Sequence, residues 1–253
     1  MKKYRLISEE KLERIVQDRI AQEIGRDQAD AERDRLDRQM EIAMLQAQIN
    51  PHFLYNTLEC IRGQALSAGE TDIADTTQAL SRLFRYSISL RNDAVPLRDE
   101  LDNVRNYMKI QQYRFRDRFT LEILHDESDP QLLDGILPKL TLQPIVENAI
   151  VHGFAKKADN ARIVIEIVGT HRHLNILISD NGQGMNAEML ERLRAVLRGD
   201  AAREDGPPVP GHGIAMDNVR KRLALFFGPQ YGIIVNSVEG AGTDVEIHIP
   251  FKA

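Results

Sequence analysis

Between Leu12 and Ala43 the apolar residues recur every three or four positions: Leu12, Val16, Ile20 and Ile24, then Leu36, Met40 and Ala43. Acids and bases alternate from Arg26 to Glu41, with no proline among them. A helix with so thin a stripe is unstable alone and calls for a partner helix, so residues 1–45 are expected to form a coiled coil. From Ile42 the stripe widens through Leu45, Ile49, Phe53, Leu58, Ile61 and Ala65, and it breaks at Ser67-Ala68-Gly69. A second helix is expected over Thr71–Leu90, with Ile73, Thr76, Leu80, Phe84 and Ile88 inward. Two amphipathic helices with a short link make an antiparallel hairpin, and two hairpins bury both stripes as a four-helix bundle. Pro96 opens a further helical stretch through Leu97, Leu101, Val104, Met108 and Tyr113, followed by a basic connector, Arg114–Arg118.

After Phe119 the texture changes. Thr120–Leu124 alternates as a strand does, and Arg162–Val168 and Leu174–Ser179 also read as strands. Pro138–Gly153 reads as a helix despite Pro144, and Met189–Leu197 and Ile214–Phe227 as two more. Gly232–Ser237 and Thr243–Ile249 are the terminal strands, joined through Glu239-Gly240-Ala241-Gly242. Residues 199–213, rich in Gly, Pro and Asp, read as a mobile loop. Helices and strands mix without strict βαβ alternation, which predicts an α+β chain: a coiled coil and dimeric four-helix bundle, then an α/β sandwich with helices on one face of a sheet. The expected boundaries are 1–45 for the coiled coil, 46–113 for the hairpin with its connecting helix, and 114–253 for the sandwich.

Composition narrows the function classes. Apolar residues make up 42% and charged residues 28% of the 253, as in an ordinary globular chain. A net charge of −5 gives no reason to expect a nucleic-acid partner, since binding the phosphate backbone needs a positive excess. The single cysteine, Cys60, forbids an internal disulfide and fits a reducing compartment. No apolar run approaches the roughly 20 residues that span a bilayer, and Met1-Lys2-Lys3-Tyr4-Arg5 lacks the apolar core of a signal peptide. The expectation is a cytoplasmic chain that meets a membrane only through an upstream region missing from this sequence.

Of the seven histidines, His125, His171, His173 and His248 fall in or beside strands and loops and read as surface or structural. No Cys/His cluster supports zinc. His52 stands apart. At 100° per residue it lies on the edge of the apolar stripe, with Gln48, Tyr55 and Asn56 as its helical neighbours. Pro51 removes the backbone bond to Ala47 and bends the axis beside it. A surface histidine next to a kink accounts for these facts, and so does an exposed phosphoacceptor. A free imidazole, with a pKa of about 6.5, is a good nucleophile near neutral pH.

Three further stretches carry polar groups where a nucleotide needs them. Leu142-Gln143-Pro144-Ile145-Val146-Glu147-Asn148-Ala149-Ile150-Val151-His152 ends an apolar turn in Glu147 and Asn148, suited to metal and phosphate, with Leu142, Ile145 and Ala149 inward. Ile178-Ser179-Asp180-Asn181-Gly182-Gln183-Gly184-Met185 delivers a carboxylate and then two glycines, which let a ligand come close to the backbone. Gly211-His212-Gly213-Ile214 enters a helix and aims free N–H groups at an anion. Alone, the readings are surface polarity, a hairpin turn and a weak glycine pair. Their order, closed by Gly242-Thr243, is far more specific.

The stretch Gln46-Ala47-Gln48-Ile49-Asn50-Pro51-His52-Phe53-Leu54-Tyr55-Asn56-Thr57-Leu58 resembles the phosphoacceptor segment of the LytS-like sensor histidine kinases. Residues 142–153, 178–185, 211–222 and 242–250 resemble the glycine and asparagine boxes of their ATP-binding domain, which belongs to the GHKL superfamily with gyrase, heat-shock chaperones and MutL. The resemblance spans roughly 42–250. It implies that His52 accepts the phosphoryl group, that Asn148 coordinates Mg²⁺, and that Asp180 holds the adenine amine of ATP. It further implies that Gly182 and Gly184 let the nucleotide lie close, that about 186–212 forms a lid, that Gly211 and Gly213 begin the phosphate-facing helix, and that Thr243 lies by the adenine. His152 is expected as a phosphate or metal-shell contact.

Three departures from the family pattern stand out. Val151 replaces a lysine, which moves a phosphate contact to Lys156 or Lys157 or loses it. Ala215 and Met216 replace a glycine and a leucine. Phe53 follows His52 where another histidine-kinase class has an acid, which leaves Glu147 as the candidate base. The expected mechanism is in-line attack of a His52 nitrogen on the γ-phosphate, with a hinge at 114–119 and later transfer to an aspartate of a response regulator. The expected assembly is a homodimer. The rival readings are a GHKL ATPase clamp and a degenerate nucleotide-sensing scaffold.

Overall fold

The computed structural model describes residues 51–88, 93–116, 118–155, 160–170, 172–199 and 212–251. The coiled coil expected over 1–45, the bend expected against Ala47, and most of the loop at 199–213 lie outside them. The chain divides into two compact units, Met1–Leu54 and Tyr55–Ala253.

Helix α1 spans Pro51–Ser67 and helix α2 spans Thr71–Ile88. The chain reverses between them where Glu70 N–H donates to Ala65 O at 2.8 Å, so the break expected at 67–69 is where the hairpin turns. Within one chain the hairpin buries small side chains, Ala65, Ala74, Thr77, Ala79 and Ser81, together with Leu58. Several of the large apolar ones expected inward stay open: Phe53 is 69% exposed, Ile61 42% and Ile73 36%. Strand β1, Ala94–Pro96, leads straight into helix α3, Leu97–Phe115. Helix α3 meets α2 through an ion pair, Lys109 Nζ to Asp75 at 2.7 Å. The pair is half exposed, so solvent screens it and it adds little to stability.

The rest of the chain makes strand β2 (Phe119–His125), a short 3₁₀ turn (Pro130–Asp134), strand β3 (Ile136–Pro138) and helix α4 (Gln143–Asn148). One π-helical turn, Ala149–Gly153, continues α4. Strands β4 (Ala161–Gly169) and β5 (His173–Asp180), helices α5 (Ala187–Arg198) and α6 (His212–Phe227), and strands β6 (Gly232–Val238) and β7 (Gly242–Pro250) follow. Five strands form one sheet in the order β2-β4-β5-β7-β6, with β2 and β4 parallel and the other neighbours antiparallel.

Period-2 alternation turns Ile163, Ile165 and Ile167 of β4, Leu174, Ile176 and Ile178 of β5, and Val245, Ile247 and Ile249 of β7 to one face. Helices cover that face with Leu97, Leu101, Val104 and Met108 of α3, Ile145 and Val146 of α4, Leu193 of α5, and Val219 and Leu223 of α6, all in one buried cluster. This is the helix-on-sheet sandwich that the mixed pattern predicts.

Two expectations are corrected. The helix expected from Pro138 begins at Gln143, because Ile136–Pro138 pairs antiparallel with Ala94–Pro96 and Leu140 turns into the left-handed region at φ 59°. The segment also does not end as an α-helix, since Phe154 N–H reaches back five residues to Ala149 O at 3.0 Å. Arg118 holds the end of this wider turn by donating to Phe154 O at 2.8 Å, while Phe154 stacks on Phe119 with ring centroids 5.7 Å apart.

Candidate functional site

A cleft opens where α4, its π-helical turn, α5 and α6 meet the ends of β5 and β7. Ile145 and Asn148 line it from α4, Ala149, His152 and Gly153 from the π turn, Ile178 and Asp180 from β5, Met189 from α5, Met216 from α6, and Thr243 and Val245 from β7. Gln183, Gly184 and Met185 close it from the turn after β5.

Asp180 is the last residue of β5 and sits in register with Thr243 of β7. Its Oδ1 accepts from Gly182 N–H at 2.8 Å, which pins the carboxylate over the following turn. That turn is stitched to the π turn: Gln183 N–H donates to Gly153 O at 2.8 Å, and Gln183 Nε2 to His152 O at 2.8 Å. On the other side Gly240 N–H donates to Gln183 O at 2.7 Å, and Met185 N–H to Ser237 Oγ at 2.9 Å. Ser237 in turn shares a hydrogen bond of 2.9 Å with Thr243 Oγ1.

Two glycines make these approaches feasible. Gly184 has φ +64° and Gly242 has φ +131°. A Cβ on Gly184 would collide with Val238 O, and one on Gly242 with Asp180 O. Gly184→Ala is expected to cost about 1–3 kcal/mol, combining a strained backbone with a steric clash. A thermal melt should then show the unfolding midpoint lowered by about 3–10 °C. An unchanged midpoint would mean that the turn relaxes without cost.

The structure therefore gathers Asn148, His152, Asp180, Gly184 and Thr243 around one cleft, with Gly182 directly beside it. Gly213 is buried in the first turn of α6. Gly211, Lys156 and Lys157 lie outside the described residues. Glu147 is not on the cleft wall. Its Oε1 accepts from Gln143 Nε2 at 2.7 Å, and its charge, after burial, helps push the Tyr107 hydroxyl up to about 12. His52 is exposed in the first turn of α1.

Sequence reasoning gave Met185, Met189 and Ser237 no role in the cleft, and marked Met216 only as a departure from the family pattern after Gly213. Three thioethers make a polarizable, adaptable wall suited to a flat aromatic ligand. Met185, directly after the second glycine, and Met216, shortly after Gly213, are the two whose place in the motifs points to the cleft. Among the described residues no group of three His, Cys, Asp or Glu could hold a metal ion. A Mg²⁺ carried largely by phosphate oxygens and water needs only one or two protein oxygens, so this is compatible with such an ion. The buried Asn148 Nδ2 has no partner among the described residues and, as a donor, suits a phosphate oxygen, while the Oδ1 of the same side chain is the atom that could meet the ion.

Residues 40–119 match the family described as histidine kinase. Residues 134–253 match the histidine kinase-, DNA gyrase B-, and HSP90-like ATPases. Sensor histidine kinase YesM of Bacillus subtilis (strain 168) is 36% identical over 223 residues, which are 87% of this chain and 35% of that relative. Sensor protein LytS of Staphylococcus epidermidis is 32% identical over 214 residues, 84% of this chain and 34% of that relative. The chain spans about a third of the length of these curated relatives. Among solved structures, the histidine kinase domain from the Erythrobacter litoralis EL346 blue-light activated histidine kinase matches with a TM-score of 0.43 at 18% identity, over 83% of this chain and 90% of that one.

Proposed function

The chain belongs to the LytS-like sensor histidine kinases with a GHKL ATPase domain, and from that premise we propose that it binds ATP in the cleft and transfers the γ-phosphoryl group to its own His52. The observation that carries this reading is the convergence of Asp180, Thr243, Asn148 and His152 on one methionine-walled cleft.

Each residue has a chemical task in this reading. The Asp180 carboxylate, held by Gly182 N–H, accepts a hydrogen bond from the exocyclic amine of adenine. Met185, Met189 and Met216 pack on the base, and Thr243 lies at its edge. Asn148 and His152 face the phosphates, and Gly213 lets the start of α6 approach them. Asn148 would hold Mg²⁺ together with the phosphates, and the ion would supply neutralisation of charge on the nucleotide. A ring nitrogen of His52 attacks phosphorus in line, forming a P–N bond as the bond to the ADP oxygen breaks. The phosphorylated ring sheds its other N–H proton, and Glu147 is the group proposed to receive it. The phosphoryl group then passes to an aspartate carboxylate of a response regulator.

The exposed Phe53, Ile61, Leu66 and Ile73 support a hairpin that pairs with a second copy as a four-helix bundle. Residues 46–113 form that part in this reading, 1–45 the coiled coil before it, and 114–253 the nucleotide domain. A cytoplasmic location below a membrane-anchored sensor completes the proposal.

Incubation with γ-labelled ATP tests the reading. Label on protein supports it, label released as free phosphate favours a clamp ATPase, and neither favours a nucleotide-sensing scaffold. Glu147→Gln is expected to slow labelling about 100-fold, the lower range for losing a general base, while ATP affinity is kept. Labelling at the wild-type rate would remove Glu147 from the mechanism.

A further inference from the structure

Glu100 is wholly buried in α3, and no step of the chemistry above uses it. A buried carboxylate is costly unless donors surround it. Four do so here. Leu140 N–H reaches Oε1 at 2.6 Å, and Thr141 and Leu142 N–H reach Oε2 at 2.7 and 2.8 Å. The fourth is the hydroxyl of Tyr86, in the last turn of α2. The three backbone donors lie in the turn directly before α4, where Leu140 holds its left-handed φ. Arg222 of α6 grips the same turn by its carbonyls, donating to Lys139 O at 2.8 Å and Leu140 O at 3.0 Å. One turn along α3, the buried Asn103 donates to Gln143 Oε1 at 2.6 Å, and Gln143 donates on to Glu147.

We propose that Glu100 is a positioning residue of the nucleotide cleft, and that Tyr86 ties this positioning to the second hairpin helix. By taking three successive N–H groups, the carboxylate sets where α4 begins, and so where Ile145 and Asn148 stand in the cleft wall. The Arg222 grip fixes the same turn to α6, whose Met216 forms another wall. The Tyr86 hydroxyl brings α2 to the same carboxylate, so a shift of α2 is felt at the start of α4. Burial pushes the Glu100 carboxyl above the ordinary range, and the Tyr86 hydroxyl and the backbone donors pull it back.

This inference rests on the cleft being a nucleotide site, and the test separates the two. ADP affinity by calorimetry, and KM and kcat for ATP in self-labelling, are measured on the full chain for wild type, Glu100→Gln, Tyr86→Phe and the double variant. Coupling through a shared network is typically worth 0.5–2 kcal/mol, about 2–30-fold. Glu100→Gln is expected to weaken ADP binding and raise KM within that range, with kcat kept within about twofold. Tyr86→Phe should move KM in the same direction by a smaller factor. The double variant should be no worse than Glu100→Gln, because the two groups act through one contact. Circular dichroism at the assay temperature reports the fold. If Glu100→Gln does not fold, Tyr86→Phe decides, and an unchanged KM there overturns the proposal. Additive effects, or unchanged affinities in folded variants, overturn it too. A wild-type chain that binds no ADP overturns the nucleotide reading, and this inference with it.

Discussion

Replacing His52 with Gln is expected to leave a protein that binds ATP normally and acquires no acid-labile, base-stable phosphoryl label. Glutamine keeps the polarity and approximate size of histidine, but an amide nitrogen has no basic lone pair to attack phosphorus. The position is exposed in the first turn of α1, so little packing is lost. The wild-type label should survive base and fall off in acid, because a phosphoryl–nitrogen bond hydrolyses readily once the ring is protonated. His152 is the competing acceptor. It lines the cleft itself, and an element that binds the donor is poorly placed to present its own ring in line with the γ-phosphate. His152 substitutions should weaken nucleotide binding or turnover without moving the label. Mass spectrometry under neutral conditions decides the matter, and phosphate on any residue other than His52 would defeat the mechanism.

Asp180→Asn should weaken ATP binding by about two orders of magnitude while the fold persists. A hydrogen bond to a charged group contributes about 1.5–3 kcal/mol, and the amide would also point a donor at the donor of adenine. Stability is expected to hold because an asparagine Oδ1 can still accept from Gly182 N–H. The register of Asp180 with Thr243 is made by backbone and does not depend on the side chain. Calorimetric titration with ATP and with GTP provides the check. If the variant binds ATP as tightly as wild type, Asp180 does not read the base.

Much of this architecture is legible in the chain, and the gaps have physical causes. Strands such as Arg162–Val168 and Leu174–Ser179 were visible within a residue of their ends, because a sheet with one covered face enforces period 2. Strands β1 and β3 were invisible, since three residues with a proline at the end show no period. The start of α4 at Gln143 was also hidden. It is set by Glu100, about forty positions upstream, and no local window contains both partners. The burial of Ala74, Thr77, Ala79 and Ser81 in α2 is not legible in the chain, because the larger Ile73, Leu80 and Phe84 dominate the pattern. In the cleft, the charged and glycine positions were legible from their order along the chain. Met189 and Ser237 were not, because a thioether or a hydroxyl has no pattern until the fold brings it to the wall.

The π-helical turn at Ala149–Gly153 makes the cleft sensitive to chain length. The turn holds one residue more than an α-helix would place between Ala149 O and Phe154 N–H. Deleting Val151 would restore ordinary helical spacing and leave Phe154 stacked on Phe119. His152 would then stand two residues from Ala149, the spacing that the 58% exposed Val151 has now. Substitution at Val151 changes only an outward side chain, whereas loss of that single residue rewires the site. In this segment insertions and deletions are therefore expected to be far more damaging than replacements.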